Sequence, residues 1–334
     1  MQKRMESIQL WRLCACFIVF MVHFGQRLGF EGVLRSITDF GAYGVQLFFI
    51  ISGFLVANSY FSYGYKNLKE FYIKKFINIM PLYYIIIAYY FIVHCFVLKD
   101  IPQDPTGFGW IRYIFAINGI LPNANMYFWD NLGITWTIPY FVFAYALLPI
   151  LLKFANTFNK CTALFVVSFA ANYIIAKTGI NYMAVLTGLP FFIMGLLIYF
   201  AYKEEKSVYL IVGACLEIIG LMITGMSNTY VSYIYGALFT ILVLSTLNIS
   251  FSSQKVKKIL SVTDKYSYIF YLAHGVVFIH CLDKVVWPKP AEAFIAIFGS
   301  VMLTVFIHEC LEKPLKKMLK KGLIKKQQFR LKCH

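Results

Sequence analysis

Ten stretches of mostly apolar residues follow one another along this chain. A helix that crosses a bilayer needs about 20 such residues, within a range of roughly 17 to 25. The stretches are residues 8–25, 42–62, 79–98, 134–152, 161–177, 183–202, 207–224, 230–248, 267–287 and 291–311. Because a crossing segment has to satisfy its own backbone hydrogen bonds, the pattern predicts an all-α, polytopic membrane protein of about ten transmembrane helices.

Composition excludes two other classes of protein. Of the 334 residues, 60% are hydrophobic and 14% are charged, whereas soluble domains hold about 45–50% apolar and about 25% charged residues. A water-soluble globular enzyme is therefore excluded, and the 33 phenylalanines exclude a disordered chain. No small-x-small cleavage site follows the first stretch, so we expect that stretch to remain as an anchor.

The cationic residues predict the topology. The net charge is +16, and with a cytoplasmic N-terminus the predicted inner segments hold 23 Lys and Arg against 7 in the outer ones. This bias follows the positive-inside rule. It predicts that both ends are cytoplasmic, that the protein lies in the cell membrane, and that the polar loop 99–133 is outside, with a short amphipathic piece near residues 110–120. It favours membrane lipids over nucleic acid as the partner of the positive charge.

The chain ends and the cysteines complete this outline. Residues 1–315 are predicted to form the transmembrane domain, and 316–334 a basic cytoplasmic tail on anionic headgroups. The eight cysteines include no CxxC pair and lie mainly in apolar stretches. They predict small buried side chains, with neither a disulfide framework nor a metal site.

Arg12 and His23 are the first candidates for chemistry, because an ionisable residue inside a membrane span is costly. Eleven residues separate them, which is about three helical turns plus 20°, so they share a face and lie roughly 16 Å apart along the axis. An imidazole with its ordinary pKa of about 6.5 can act as a general base. The alternative is that Arg12 reaches the headgroups and His23 caps the span.

Two further segments add polar groups near this face. In the second stretch, Gly44 and Gly53 permit close helix packing, and Ser52 can hydrogen-bond between helices; packing against the first stretch is favoured over a nucleophilic serine. Lys74 and Lys75 stand at the cytoplasmic mouth of the third stretch. With Arg12 they would bind phosphates, or they only follow the positive-inside rule.

The later stretches contribute supporting candidates. Trp136, Tyr271, His274 and Glu312 are polar or aromatic residues within or beside apolar stretches, and Tyr271 and His274 share a helix face at i, i+3. Glu217 stands alone in mid-stretch, and its role is left open.

These segments, in this order, resemble membrane acyltransferase family 3, whose members O-acylate cell-surface glycans and other acceptors. Arg12 and His23 are similar to its Arg-x10-His signature. The other matching segments are 44–55, 74–84, 135–149, 266–274 and 312–315. Many relatives carry a Glu where this chain has Phe141, and many carry Arg at Lys74, Lys75 and Asn78, which suggests the branch that acts on exopolysaccharide or lipid-linked sugars.

The resemblance implies an acyl-CoA co-substrate, with no permanently bound cofactor, and polysaccharide O-acetylation. Arg12, Lys74 and Lys75 would hold the donor phosphates, and His23 with Arg12 would be catalytic. His23 acts either as the general base for a sugar hydroxyl or as an acyl-carrying nucleophile.

The competing class is a carrier or flippase of a lipid-linked sugar without chemistry of its own. A glycan polymerase is disfavoured, since the 99–133 loop has one Arg and no His. The acyl group, the acceptor sugar and the oligomeric state stay open.

Overall fold

The computed structural model describes residues 5–63, 68–99, 109–117, 134–177, 184–225, 230–283 and 285–319. All regular secondary structure within these ranges is helical, which confirms the all-α class. The α-helices are α1 (Glu6–Leu28), α2 (Gly32–Asp39), α3 (Gly44–Tyr63), α4 (Leu68–Ile92), α5 (Gly109–Ile114), α6 (Ile138–Phe154), α7 (Phe158–Lys177), α8 (Ala184–Lys203), α9 (Ser207–Ile223), α10 (Val231–Thr246), α11 (Gln254–Val276), α12 (Lys289–Phe294) and α13 (Ser300–Phe306).

Wider, π-helical turns lengthen several of these helices. They continue α4 over Val93–Leu98, continue α11 over Val277–Leu282, join α12 to α13 over Ile295–Gly299, and continue α13 over Ile307–Glu312. Helix then runs on to Leu319, across the predicted boundary between residues 315 and 316. The rest of the predicted tail, residues 320–334, lies outside the described residues.

Each of the ten apolar stretches falls largely on a helix. Among the described residues, five helices are long and apolar enough to cross a membrane: Glu6–Leu28, Gly32–Ser62, Leu68–Leu98, Phe158–Ile175 and Lys289–Leu319. Shorter apolar helices cover Ile138–Phe154, Thr187–Lys203, Ser207–Ile223 and Val231–Thr246. The protein is therefore an integral membrane protein, while the count of ten spans and the cytoplasmic position of its ends stay predictions.

Two predicted loops contain helix. α4 begins at Leu68 instead of residue 79, because Phe71 and Ile77 continue its buried face past the lysines. Lys74 and Lys75 therefore lie on a helix. In the 99–133 loop, the predicted short piece corresponds to α5, and the Tyr84 hydroxyl donates to the Ile114 carbonyl at 2.7 Å.

α3 packs closely on α8, and this contact depends on glycine. A Cβ on Gly53 would overlap the carbonyl oxygen of Phe192, and a Cβ on Gly195 would overlap that of Ile50. Gly44 instead faces α1, where a Cβ would lie 2.7 Å from the Val19 side chain. The prediction that this segment packs on the first stretch therefore holds for Gly44, whereas Gly53 packs on α8.

We expect Gly53→Ala to lower the stability of the folded protein, because the new methyl group meets backbone, which cannot rotate away. Overpacking of this kind costs about 1–3 kcal/mol. The measurement is the thermal unfolding midpoint in detergent. Gly213→Ala is the matched control, since it adds the same methyl group to α9, where no atom lies within 4 Å. Equal midpoints for the two variants would contradict the packing argument.

α1 is tied to its neighbours at both ends. Near its C-terminus, the Arg27 guanidinium lies 3.0 Å from Asp283 and 2.7 Å from Glu292. Near its N-terminus, the Trp11 indole N–H donates to the Thr246 hydroxyl at 2.8 Å. These contacts fix the position of α1, and with it Arg12 and His23, relative to the neighbouring helices.

Candidate active site

A cavity of about 280 Å³ lies between α1, α3, α4, α6 and α11. It brings together four residues singled out in the sequence: Arg12, Ser52, Lys75 and Tyr271. The full lining is Arg12, Val45, Phe48, Ser52, Leu55, Val56, Lys75, Asn78, Ile79, Thr137, Phe141, Tyr145, Tyr268 and Tyr271. The cavity therefore joins two cationic groups to several hydroxyl groups within an apolar wall.

Arg12 is held at the cavity by an ion pair. Its Nη1 atom lies 2.6 Å from Oδ1 of Asp264 on α11, and both side chains are about one quarter exposed. This contact favours a site residue over the alternative in which Arg12 reaches the headgroups. Sequence reasoning missed Asp264, although it is the one carboxylate in the predicted inner segment 249–266.

Lys75 and Lys74 face different surroundings. The Lys75 ammonium lies 4.9 Å from the ring centroid of Tyr145 and 5.7 Å from that of Phe71, and Tyr145 lines the cavity together with Ser52. Lys74 is exposed and does not line the cavity. The predicted cationic mouth is thus formed by Arg12 and Lys75.

His23 meets His274 beyond the cavity. Their ring centroids are 5.5 Å apart, and the Tyr271 ring, which lines the cavity, lies 5.8 Å from that of His274. Nδ1 of His274 is 3.0 Å from the Phe270 carbonyl oxygen. Because a carbonyl only accepts, Nδ1 carries the proton, and Nε2 of the neutral ring is an acceptor. Nε2 is buried and has no hydrogen-bond partner among the described residues.

Two of the supporting candidates stand apart from this arrangement. Glu312 is almost fully buried, is hydrogen-bonded to Nδ1 of His308 at 2.7 Å and forms an ion pair with Lys316 at 2.6 Å, and it does not line the cavity. The side chain of Trp136 lies outside the described part of the chain, although the next residue, Thr137, lines the cavity. Glu217 is on α9, where its Oε1 is buried with no hydrogen-bond partner in the described ranges.

Sequence reasoning also missed two tyrosines of the cavity, Tyr145 and Tyr268. Tyr268 donates its hydroxyl to the Ile79 carbonyl at 3.2 Å and so ties α11 to α4. The Tyr145 ring lies beside the Lys75 ammonium. The available signal is spacing, since Asp264, Tyr268 and Tyr271 follow one another at i, i+4 and i+7 along one face of α11.

A family profile described as an acyltransferase domain, that of acyltransferase family 3, matches residues 5–309. The chain belongs to acyltransferase family 3. This confirms the resemblance drawn from the motifs.

A relative of stated activity matches a smaller part of the chain. The peptidoglycan O-acetyltransferase OatA of Listeria monocytogenes is 28% identical over 98 residues, which are 28% of this chain and 16% of that protein. The chain therefore spans about a sixth of the length of that relative. No solved structure matches the chain significantly. The segment matched to acyltransferase family 3 contains every cavity residue together with His23 and His274, and ends before Glu312.

Proposed function

We propose that the protein is an O-acyltransferase of the cell membrane that moves an acyl group, acetyl in the first instance, from acyl-CoA to a hydroxyl of a cell-surface or lipid-linked polysaccharide. One observation carries the proposal. In a chain of acyltransferase family 3, a cavity has Arg12, Lys75 and Tyr271 in its wall. The Tyr271 ring lies 5.8 Å from that of His274, which lies 5.5 Å from that of His23.

The cations suit the phosphate-rich end of coenzyme A. A guanidinium binds phosphate through several N–H groups, and the ion pair with Asp264 uses Nη1 of Arg12. The remaining N–H groups can then bind a donor phosphate. The pantetheine arm is long and thin, and in this proposal it passes Ser52 and Tyr271 toward His23.

The reaction is a transfer of acyl carbon from sulfur to oxygen. In the general-base form, His23 takes the proton of the sugar hydroxyl, the oxygen attacks the thioester carbonyl, the C–S bond breaks, and the imidazolium returns its proton to the leaving thiolate. In the nucleophilic form, the His23 nitrogen attacks the thioester carbonyl, the C–S bond breaks and the coenzyme A thiolate leaves. The sugar oxygen then attacks the acyl-histidine, the C–N bond breaks, and the hydroxyl proton passes to the released imidazole or thiolate. Both forms place the same residue at the reacting atoms.

A carrier or flippase of a lipid-linked sugar is the second candidate. It would share the helices and the charges within them, but it would not cleave a thioester. Family membership favours the enzyme.

The test is turnover of acetyl-CoA by purified protein in detergent. We expect formation of free coenzyme A and an acetylated glycan, both detected by mass spectrometry. A thiol-reactive dye is unsuitable, because the protein itself has free cysteines. Absence of thioester cleavage with a folded protein and a panel of glycans would favour the carrier.

A further inference from the structure

An apolar groove of about 940 Å³ runs beside the candidate active site. Its walls include Tyr72, Phe76 and Met80 of α4, Phe115 just after α5, and Met318 of the last described helix. Phe76, Phe115 and Met318 are 50%, 65% and 69% exposed. Exposed apolar side chains of an integral membrane protein are suited to contact with hydrocarbon, so the open side of the groove is suited to an apolar chain.

The groove adjoins the polar cavity. Lys75, Ile79 and Tyr145 line both spaces. Lys75 is the charged group at this junction, and no carboxylate within the described ranges forms an ion pair with it. A half-buried cation beside hydrocarbon is costly without a counter-charge. The junction is therefore suited to an anion that is attached to an apolar chain.

We propose that the groove binds the hydrocarbon chain of the acceptor, and that the acceptor is a glycan joined through phosphate to a long polyprenyl-type chain. Its phosphate lies at Lys75, and its sugar enters the cavity. This inference rests on the proposed acyltransferase function and names the acceptor class. It assigns Lys75 to the acceptor and leaves Arg12 to the donor.

The position of Lys75 distinguishes this ligand from a long-chain donor. In acyl-CoA, the pantetheine arm separates the phosphates from the acyl chain, whereas in a lipid phosphate the chain begins at the phosphate. Lys75 lines the groove itself, beside its apolar walls, as the second arrangement requires. An ordinary phospholipid has the charge and the chains, but it presents no sugar hydroxyl to the cavity. The assembly of the lipid-linked glycan would then precede this reaction, and its transfer from the carrier would follow.

The experiment measures binding of a long-chain polyprenyl phosphate to the full protein in detergent, from the ligand-induced rise in the unfolding midpoint. Uncharged polyprenol, phosphatidic acid and palmitoyl-CoA are compared with it. Lys75→Gln removes the charge, and Ala146→Trp fills the groove, which Ala146 lines on α6. Ile150→Trp is the matched control, since Ile150 lies one turn further on α6, is 54% exposed and does not line the groove.

We expect the wild type and Ile150→Trp to bind polyprenyl phosphate in preference to polyprenol and phosphatidic acid. Lys75→Gln and Ala146→Trp should each weaken that binding by about tenfold or more. The first removes the charge that binds the phosphate, and the second blocks the groove that binds the hydrocarbon chain. If Ala146→Trp does not fold, Val142→Phe, which lies in the same wall, carries the same expectation.

Three results would overturn the inference. Equal binding of phosphatidic acid would indicate ordinary lipid only. Weaker palmitoyl-CoA binding in Ala146→Trp, with unchanged polyprenyl phosphate binding, would assign the groove to a donor chain. Full affinity in both Lys75→Gln and Ala146→Trp would place the ligand elsewhere.

Acetyl-CoA turnover separates this inference from the proposed function. Selective polyprenyl phosphate binding without any thioester cleavage would leave the groove assignment in place and reject the enzyme. Acetyl transfer to a water-soluble glycan without selective polyprenyl phosphate binding would reject the groove assignment alone.

Discussion

His23→Gln is expected to lower acyl transfer by about 10²–10⁴-fold, the usual contribution of a general base, or further if His23 carries the acyl group. Glutamine keeps a polar side chain but neither accepts the proton nor forms an acyl adduct. The rate of acetylated glycan formation from acetyl-CoA is the measurement, with the unfolding midpoint as the check on folding.

His94→Gln is the matched control. His94 is a buried histidine of the turns that continue α4, and it does not line the cavity. We expect this variant to keep its activity. If His23→Gln retains more than about a tenth of the wild-type rate, His23 is not the catalytic group. His274→Gln would then be examined, since that ring lies 5.5 Å from His23.

Acceptor-free hydrolysis of acetyl-CoA distinguishes the two roles of His23. Water slowly hydrolyses an acyl-histidine intermediate, so the wild type would release coenzyme A in the absence of glycan. His23→Gln would abolish that release. A general base produces little turnover when the acceptor is absent. Covalently acetylated protein, trapped and located by mass spectrometry, would support the nucleophilic form directly.

Arg12→Gln is expected to raise the KM for acetyl-CoA by roughly 10- to 150-fold, because a hydrogen bond to a charged group contributes about 1.5–3 kcal/mol. The ion pair with Asp264 complicates this experiment, since Arg12→Gln also leaves that carboxylate unpaired. A double-mutant cycle with Arg12→Gln, Asp264→Asn and the double variant separates the loss of the donor contact from the effect of the unpaired carboxylate.

The outcome of the cycle depends on what Arg12 contacts during binding. If it holds the donor, the double variant keeps the raised KM, and Asp264→Asn alone does not raise it. If Arg12 serves only to tie α1 to α11, the double variant regains the wild-type KM, and both single variants lose stability. Recovery in the double variant would therefore remove Arg12 from the donor site.

The sequence was sufficient to place residues that share one helix. The eleven-residue interval between Arg12 and His23 predicted a common face, and α1 carries both residues, with α11 contacting them through Asp264 and His274. The ordered motifs predicted the family, which the profile match confirms. Helical periodicity is a local property, so patterns within one segment are sufficient to predict it.

Partners from distant parts of the chain were not predictable in this way. Asp264 lies 252 positions from Arg12, and nothing in the spacing within α1 indicates which helix packs on it. The neighbouring lysines illustrate the same limit: adjacent helix positions differ by about 100° in direction, so Lys75 faces the cavity while Lys74 is exposed. The packing of α4, which buries Phe71 and Ile77, decides which of the two lysines faces inward.

The exposed rim of the groove has a consequence for how this enzyme would meet its acceptor. Phe76, Phe115 and Met318 are exposed, so under the proposed assignment a chain-bearing acceptor would arrive by lateral diffusion within the bilayer. Encounter then depends on the surface density of the acceptor, and the relevant KM is a mole fraction of the lipid. Diluting the membrane with inert phospholipid lowers that surface density and slows the reaction. Diluting the whole suspension with buffer leaves the surface density of the acceptor unchanged.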